Sequence, residues 1–331
     1  LTSLGRSALS LGFFRFLLGI GEPGNYTAAA KAVSDWFPPR ERGLVVGIYT
    51  AGATLGATIA PPLIAYMASH FHWRAVFLIT GSLGLLWLIP WLWPYRRPEE
   101  HPRLDPEELK TIRSGGPGPV AAAAPGTAPP ESRWAYILHR RETWVLLLGR
   151  MLTDPVWYFF LFWFPKYLTD DRRLTLAEVG GISWIVYLAA DAGCIIGGLL
   201  SGLLIRRGAT PAGSRIRVMS MAVVLLPLSP LINIVDSPLA AVLIAGAAAF
   251  AHLAWQISLS TLIVDIYPRA MVGTVVGLVA AGSGLGGMIS THLIGKAVTN
   301  YSYAPVFIAM GVLHPIAFLL IRTIRQRNQA A

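Results

Sequence analysis

Residues 35–64, DWFPPRERGLVVGIYTAGATLGATIAPPLI, and residues 265–294, DIYPRAMVGTVVGLVAAGSGLGGMISTHLI, carry one pattern twice, 230 positions apart. Asp35, Phe37, Pro38 and Gly43 stand against Asp265, Tyr267, Pro268 and Gly273. Gly47, Ala51, Gly52, Leu55, Gly56, Ile59, Leu63 and Ile64 stand against Gly277, Ala281, Gly282, Leu285, Gly286, Ile289, Leu293 and Ile294. The offset persists to Val76, Phe77 and Gly81 against Val306, Phe307 and Gly311. Apolar helices resemble one another by composition, but chance does not hold one register through two loops and parts of three helices. The pattern reads as an internal duplication, and two related membrane halves are a hallmark of secondary transporters.

Composition agrees. Apolar residues make up 54% of the 331 and charged ones 13%, about half the charged share of a soluble domain. The net charge of +10 does not point to nucleic acid, because the basic residues sit in short loops between apolar runs. The single cysteine, Cys194, lies in an apolar run and reads as a packing residue. No P-loop, no zinc-ligand spacing and no Ser, His, Asp arrangement stands out, so neither an enzyme, a metal site nor an ATP-driven pump is expected.

Nine runs have the length of a membrane span: 11–34, 44–68, 75–94, 142–168, 179–205, 217–234, 238–266, 271–297 and 304–322. Alternate loops place 18 of the 27 Lys and Arg on one side, against Arg74, Lys166, Arg172, Arg173 and Lys296 on the other. The first side is cytoplasmic by the positive-inside rule. The two repeated loops fall on that same side, so the repeat is parallel, its halves related by an axis along the membrane normal. The second half runs through six spans from Glu142, and the offset puts the matching start of the first half before Leu1. The expectation is therefore an all-α polytopic membrane protein with parallel six-helix repeats and nine of twelve helices present. Residues 1–94 are the remainder of the N-terminal half, 95–141 a cytoplasmic linker and 142–331 the C-terminal half. Within the linker, Asp105 followed by Pro106 predicts a short helix over Glu107–Arg113, and the Pro, Gly and Ala-rich stretch 114–132 predicts a flexible tether.

The run RFLLGIGEPGNYTAAAKAVSDWFPPRERG, residues 15–43, resembles the fourth helix and following loop of the anion:cation symporter branch of the major facilitator superfamily. LTDPVWYFFLFWFPKYL, YLAADAGCIIGGLLSGLLIRRG and AHLAWQISLSTLIVDIYPRAMVG are similar to the seventh, eighth and tenth helices of its hexuronate transporters, although Thr50 and Ser258 stand where asparagine is usual there. The resemblance implies the major facilitator fold, alternating access, and a proton-coupled symporter of a small organic anion, a hexuronate or related sugar acid. It implies a monomer in the inner (plasma) membrane, surrounded by lipid, with H+ as coupling ion and no cofactor. A symporter of aromatic acids or tartrate, and a membrane sensor that does not transport, stay open as alternatives.

Ionisable residues within spans are expensive to insert and mark the expected site. Arg15 and Glu22 are two helical turns apart, about 10 Å by the helical rise, with Arg15 assigned to the substrate carboxylate and Glu22 to the coupling proton. Glu22 falls on His252 by the repeat offset, which makes His252 a second candidate for the proton. Trp255, Gln256 and Ser258 follow it and suit a sugar acid's hydroxyls and C–H faces. Trp157 and Tyr158 on the seventh helix, with Tyr26 and Thr50, complete the expected binding residues. Asp154, directly before Pro155, reads as a cap at a break in that helix. Gly52, Gly56, Gly282 and Gly286 are expected to let helices approach closely, with Arg206 and Arg207 anchoring the loop after the eighth helix.

Overall fold

The computed structural model describes residues 1–92, 95–114 and 133–324, and among them the chain is helical without a strand. The first half supplies α1 (Ala8–Gly21), α2 (Pro23–Trp36), α3 (Pro39–His70) and α4 (Trp73–Leu92). The short helices α5 (Pro106–Ser114) and α6 (Arg133–His139) follow. The second half contains α7 (Arg141–Tyr158), α8 (Phe164–Asp170), α9 (Leu176–Ile182), α10 (Trp184–Arg206) and α11 (Pro211–Leu225), then α12 (Leu231–Ile234), α13 (Pro238–Ile266), α14 (Val272–Asn300) and α15 (Ala304–Ile321). The helix expected at Glu107–Arg113 is α5, and Asp105 caps it, its Oδ1 accepting from the Glu107 N–H at 3.3 Å. The tether expected at 114–132 lies outside the described residues beyond Ser114.

Several of these helices adjoin end to end. In the second half they form six stretches long and apolar enough to cross a membrane: Arg141–Asp170, Ala177–Arg206, Pro211–Ile234, Pro238–Ile266, Arg269–Asn300 and Ala304–Ile324. In the first half the run expected at 11–34 is divided at Glu22, which ends α1 and opens α2 while keeping helical dihedrals. Pro23 causes the division: it has no N–H to give the Gly19 carbonyl. The break expected at Asp154 is not there, because α7 runs through Pro155. It lies five residues on, where Phe159–Trp163 form a single π turn and the Phe164 N–H reaches the Phe159 carbonyl. Pro165 follows and cannot donate to Leu161, so a wider turn forms there instead.

The repeat is structural as well as sequential. Helices α2 and α13 end at Trp36 and Ile266, α3 and α14 at His70 and Asn300, each pair separated by the offset read from the sequence. The residues after the first pair, Phe37 and Tyr267, are both extended.

The halves meet chiefly through α3 on α10 and α2 on α14. Backbones approach where side chains are missing. A Cβ on Gly43 would stand 3.0 Å from the Gly198 carbonyl, one on Gly202 2.6 Å from the Arg40 carbonyl, and one on Gly47 would collide with the Cys194 carbonyl. Gly52 and Gly56, expected in this role, face open space, while Gly282 and Gly286 press on Leu147 and Met151 of α7 within their own half. The same end holds a buried charge cluster. Asp265 accepts from Arg42 Nη1 at 2.9 Å and from Arg215 Nε at 3.0 Å, with the three side chains no more than 1% exposed. Arg215 also donates to the Pro39 carbonyl at 2.6 Å and to Ser201. Arg206 and Arg207, expected to anchor the loop after the eighth helix, are exposed, while the arginines held in the buried cluster are Arg42 and Arg215. At this arginine-rich end, expected to be cytoplasmic by the positive-inside rule, the halves thus pack backbone to backbone around a buried ion cluster.

Gly47→Ala should disturb this seal. An alanine methyl cannot be accommodated by moving a backbone carbonyl cheaply, and overpacking of this kind costs about 1–3 kcal/mol. Cys194, the buried and only cysteine, reports on it. Its alkylation by a membrane-permeant maleimide should accelerate about tenfold or more, a factor of ten per 1.4 kcal/mol. An unchanged rate would mean that this contact does not hold the halves together.

Candidate substrate site

Between the halves lies a cavity of about 630 Å³, within the usual range for small-molecule sites of about 300–1,000 Å³. Each wall is one stripe of a helix. From α13 come Leu253, Gln256, Ile257, Ser260, Ile263 and Val264, spaced by three or four as one helical face requires. From α7 come Arg150, Asp154, Trp157, Tyr158 and, in the π turn, Leu161; from the α1–α2 junction Gly19, Glu22, Pro23, Tyr26, Thr27 and Ala30.

The duplication extends to these walls. Pro23, Tyr26, Thr27 and Ala30 on one side correspond by the 230-residue offset to Leu253, Gln256, Ile257 and Ser260 on the other. On α3 and α14, Val46, Thr50 and Ala53 correspond in the same way to Val276, Ala280 and Ser283. Not every lining residue is matched, and the pair that matters most is Glu22, which lines the cavity at the helix division, and His252. Its counterpart His252 lies in the unbroken α13, one residue before the lining stripe.

Of the expected site residues, the cavity gathers Glu22, Tyr26, Thr50, Trp157, Tyr158 and Gln256. Four are placed elsewhere. Arg15 is exposed on α1, one turn beyond Gly19, with its guanidinium 5.7 Å from the Phe77 ring centre. Trp255 is fully buried in the second half beside His314, ring centres 5.4 Å apart. Ser258 is buried and donates to the Ala254 carbonyl at 2.9 Å. His252 is fully buried, and its Nδ1 lies 3.1 Å from His314 Nε2. The physical reason is phase. Each residue advances a helix by 100°, so on α13 the stripe containing Gln256 leaves 252, 255 and 258 directed into the protein.

The cation in the cavity wall is Arg150, not Arg15. Its Nε donates to Asp154 Oδ2 at 2.7 Å, one turn along α7, and its Nη1 approaches Ser260 Oγ at 3.4 Å. Asp154 is buried, and its Oδ1 has no hydrogen-bond partner. Trp157 stands one turn further on, stacked parallel to the His252 ring at 6.2 Å and edge-on to Tyr187 at 6.3 Å. Tyr158 places its hydroxyl 3.4 Å from Ser283 Oγ. The cavity thus offers one guanidinium, two carboxylates, several hydroxyls and an aromatic face. No group of acidic, histidine or cysteine side chains able to hold a metal occurs among the described residues.

A profile of the Major Facilitator Superfamily matches residues 2–257. The chain belongs to that superfamily. This facilitator is 31% identical over 330 residues to the hexuronate transporter of Escherichia coli (strain K12), an alignment covering 99% of the chain and 76% of that relative. It is 36% identical over 199 residues to the galacturonate transporter of Dickeya chrysanthemi, covering 60% of the chain and 56% of that relative. In fold it resembles the human organic anion transporter MFSD10 (TETRAN), with a TM-score of 0.69 at 18% identity, over 97% of this chain and 72% of that one. The facilitator is a polytopic membrane transporter, not an enzyme.

Proposed function

We propose that this facilitator is a proton-coupled symporter of a small sugar acid, a hexuronate or close relative, working by alternating access as a monomer in the bacterial inner membrane. The observation that carries this reading is a cavity between two related halves in which one guanidinium stands among carboxylates, hydroxyls and an indole. Arg150 would take the substrate carboxylate, since a guanidinium offers a planar fork that matches it. Tyr26, Thr50, Tyr158, Gln256 and Ser260 would bond the sugar hydroxyls, and Trp157 would cover a C–H face. The names of the hexuronate and galacturonate transporters support that substrate class.

Glu22 is the second element of the reading. A bound organic anion adds negative charge to a cavity that already contains Glu22 and Asp154 against one Arg150. A proton on Glu22 removes that repulsion, so substrate and proton travel together. The seal at the arginine-rich end corresponds to the state that accepts both from the opposite side.

The test is Glu22→Gln, which keeps the shape and hydrogen-bonding ability of the side chain but cannot release a proton. In proteoliposomes with an imposed pH gradient, accumulation of labelled galacturonate should be lost, while exchange of labelled for unlabelled galacturonate continues. Retained accumulation would take Glu22 out of the coupling path. Loss of both activities would make it a structural or substrate-binding residue.

A further inference from the structure

Behind Trp157 the second half contains a group of polar side chains for which packing gives no account. His252 on α13 and His314 on α15 are both fully buried and share a hydrogen bond of 3.1 Å from Nδ1 to Nε2. Their outer nitrogens, His252 Nε2 and His314 Nδ1, have no partner, and neither has Asp154 Oδ1 or Trp255 Nε1 nearby. Two neutral imidazoles share a single N–H, so whichever tautomers they adopt, one buried N–H and one bare ring nitrogen remain at the outer ends. A pair selected only for packing would be replaced by apolar residues without that desolvation penalty.

The position is as informative as the chemistry. His252 is the repeat counterpart of Glu22, and its ring stacks at 6.2 Å on that of Trp157, which lines the cavity. The charged groups that bear on His252 are Asp154 and Arg150, both on α7. Other elements packed on α13 add little. Asp191 on α10 bears on Cys194, Arg215 on α11 is bound to Asp265, His292 and Lys296 on α14 are exposed, and Glu22 stands across the cavity.

We propose that Asp154, His252 and His314 form a second proton-binding site, loaded when a substrate carboxylate takes Arg150. This rests on the sugar-acid symporter reading. With the site empty, Arg150 and Asp154 neutralise each other. An incoming carboxylate competes for the guanidinium, and Asp154 is left buried beside His252 with its charge uncompensated. A proton from the cavity water then adds at His252 Nε2. The cation so formed on His252 compensates Asp154, while its Nδ1–H donates to His314 Nε2, which satisfies the second N–H of the charged ring. The reverse transfer discharges the site when substrate leaves Arg150 and Asp154 recovers its partner.

Proton uptake on binding tests this. Galacturonate is titrated into the purified protein in two buffers of different ionisation enthalpy, and the difference in heats gives the protons bound per substrate. His252→Gln and His314→Gln should each lower that number by about one, and Glu22→Gln should lower it independently, so that Glu22→Gln with His314→Gln loses both. If the histidine variants take up as many protons as the unaltered protein, the second site does not exist and the symporter reading survives. If the unaltered protein binds galacturonate without any proton, or does not bind it, both readings fall. Should the variants not fold, the unaltered protein labelled with 15N-histidine decides. A nitrogen–nitrogen coupling across the His252–His314 bond should be present and should shift on adding galacturonate. Resonances that do not move overturn the proposal.

Discussion

Asp265→Asn should be the most damaging single substitution at the interface between the halves. It removes the carboxylate that the buried Arg42 and Arg215 share, and breaking a buried ion pair from one side costs about 3–5 kcal/mol. The detergent-solubilised protein should melt well below the unaltered one and label at Cys194 even without substrate. The repeat supplies its own control. Asp35 occupies the equivalent position but pairs with Lys31 on its own helix, at a partly exposed site, and such pairs contribute about 0.3–0.5 kcal/mol. Asp35→Asn should therefore be nearly silent in melting. Equal effects at the two positions, or an Asp265→Asn protein with unchanged melting, would show that Asp265 does not hold the seal.

Arg150→Lys should reduce galacturonate affinity about ten- to a hundredfold, since hydrogen bonds to charged groups are worth about 1.5–3 kcal/mol and each 1.4 is a factor of ten. The lysine retains the positive charge beside Asp154, so the protein should still fold. It loses the planar fork and the second set of donors. Arg15→Lys should change affinity by less than about twofold, a surface-type substitution within about 0.5 kcal/mol. Calorimetric or fluorescence titration distinguishes them. A large loss for Arg15→Lys with little for Arg150→Lys would return the carboxylate to α1.

The sequence makes the architecture legible because the repeat, the apolar runs and the loop charges are all local or periodic signals. The offset holds to the residue at the ends of two helix pairs and carries the matched cavity walls, although the spans expected at 11–34, 44–68 and 271–297 stop two or three residues short of those ends. Side-chain direction was harder to read. Helix α13 is buried nearly all round, so apolar contrast does not reveal which face meets the cavity, and Trp255 and Ser258 could not be separated from Gln256 and Ser260. Arg150 had a usable signal: the insertion cost that draws attention to Arg15 applies equally to it, and Asp154 is its partner one turn away. Pro155 drew the reading of Asp154 toward a helix break instead. The partnership of His252 with His314 spans 62 residues and leaves no mark in either local sequence.

The π turn at Phe159–Trp163 has a consequence best counted in phase. Five α-helical turns take 18 residues, so an unbroken helix would carry the line of Arg150 to Leu168. The widened turn absorbs one residue, and that line passes to Thr169, between Lys166 and Asp170. Leu168 is rotated with Tyr167 into the interior, where Tyr167 meets Tyr303 and Phe307 with ring centres 5.0 Å away. The widened turn has in effect exchanged a leucine for a threonine at the far end of that line, with Thr169 donating to the Lys166 carbonyl at 2.9 Å.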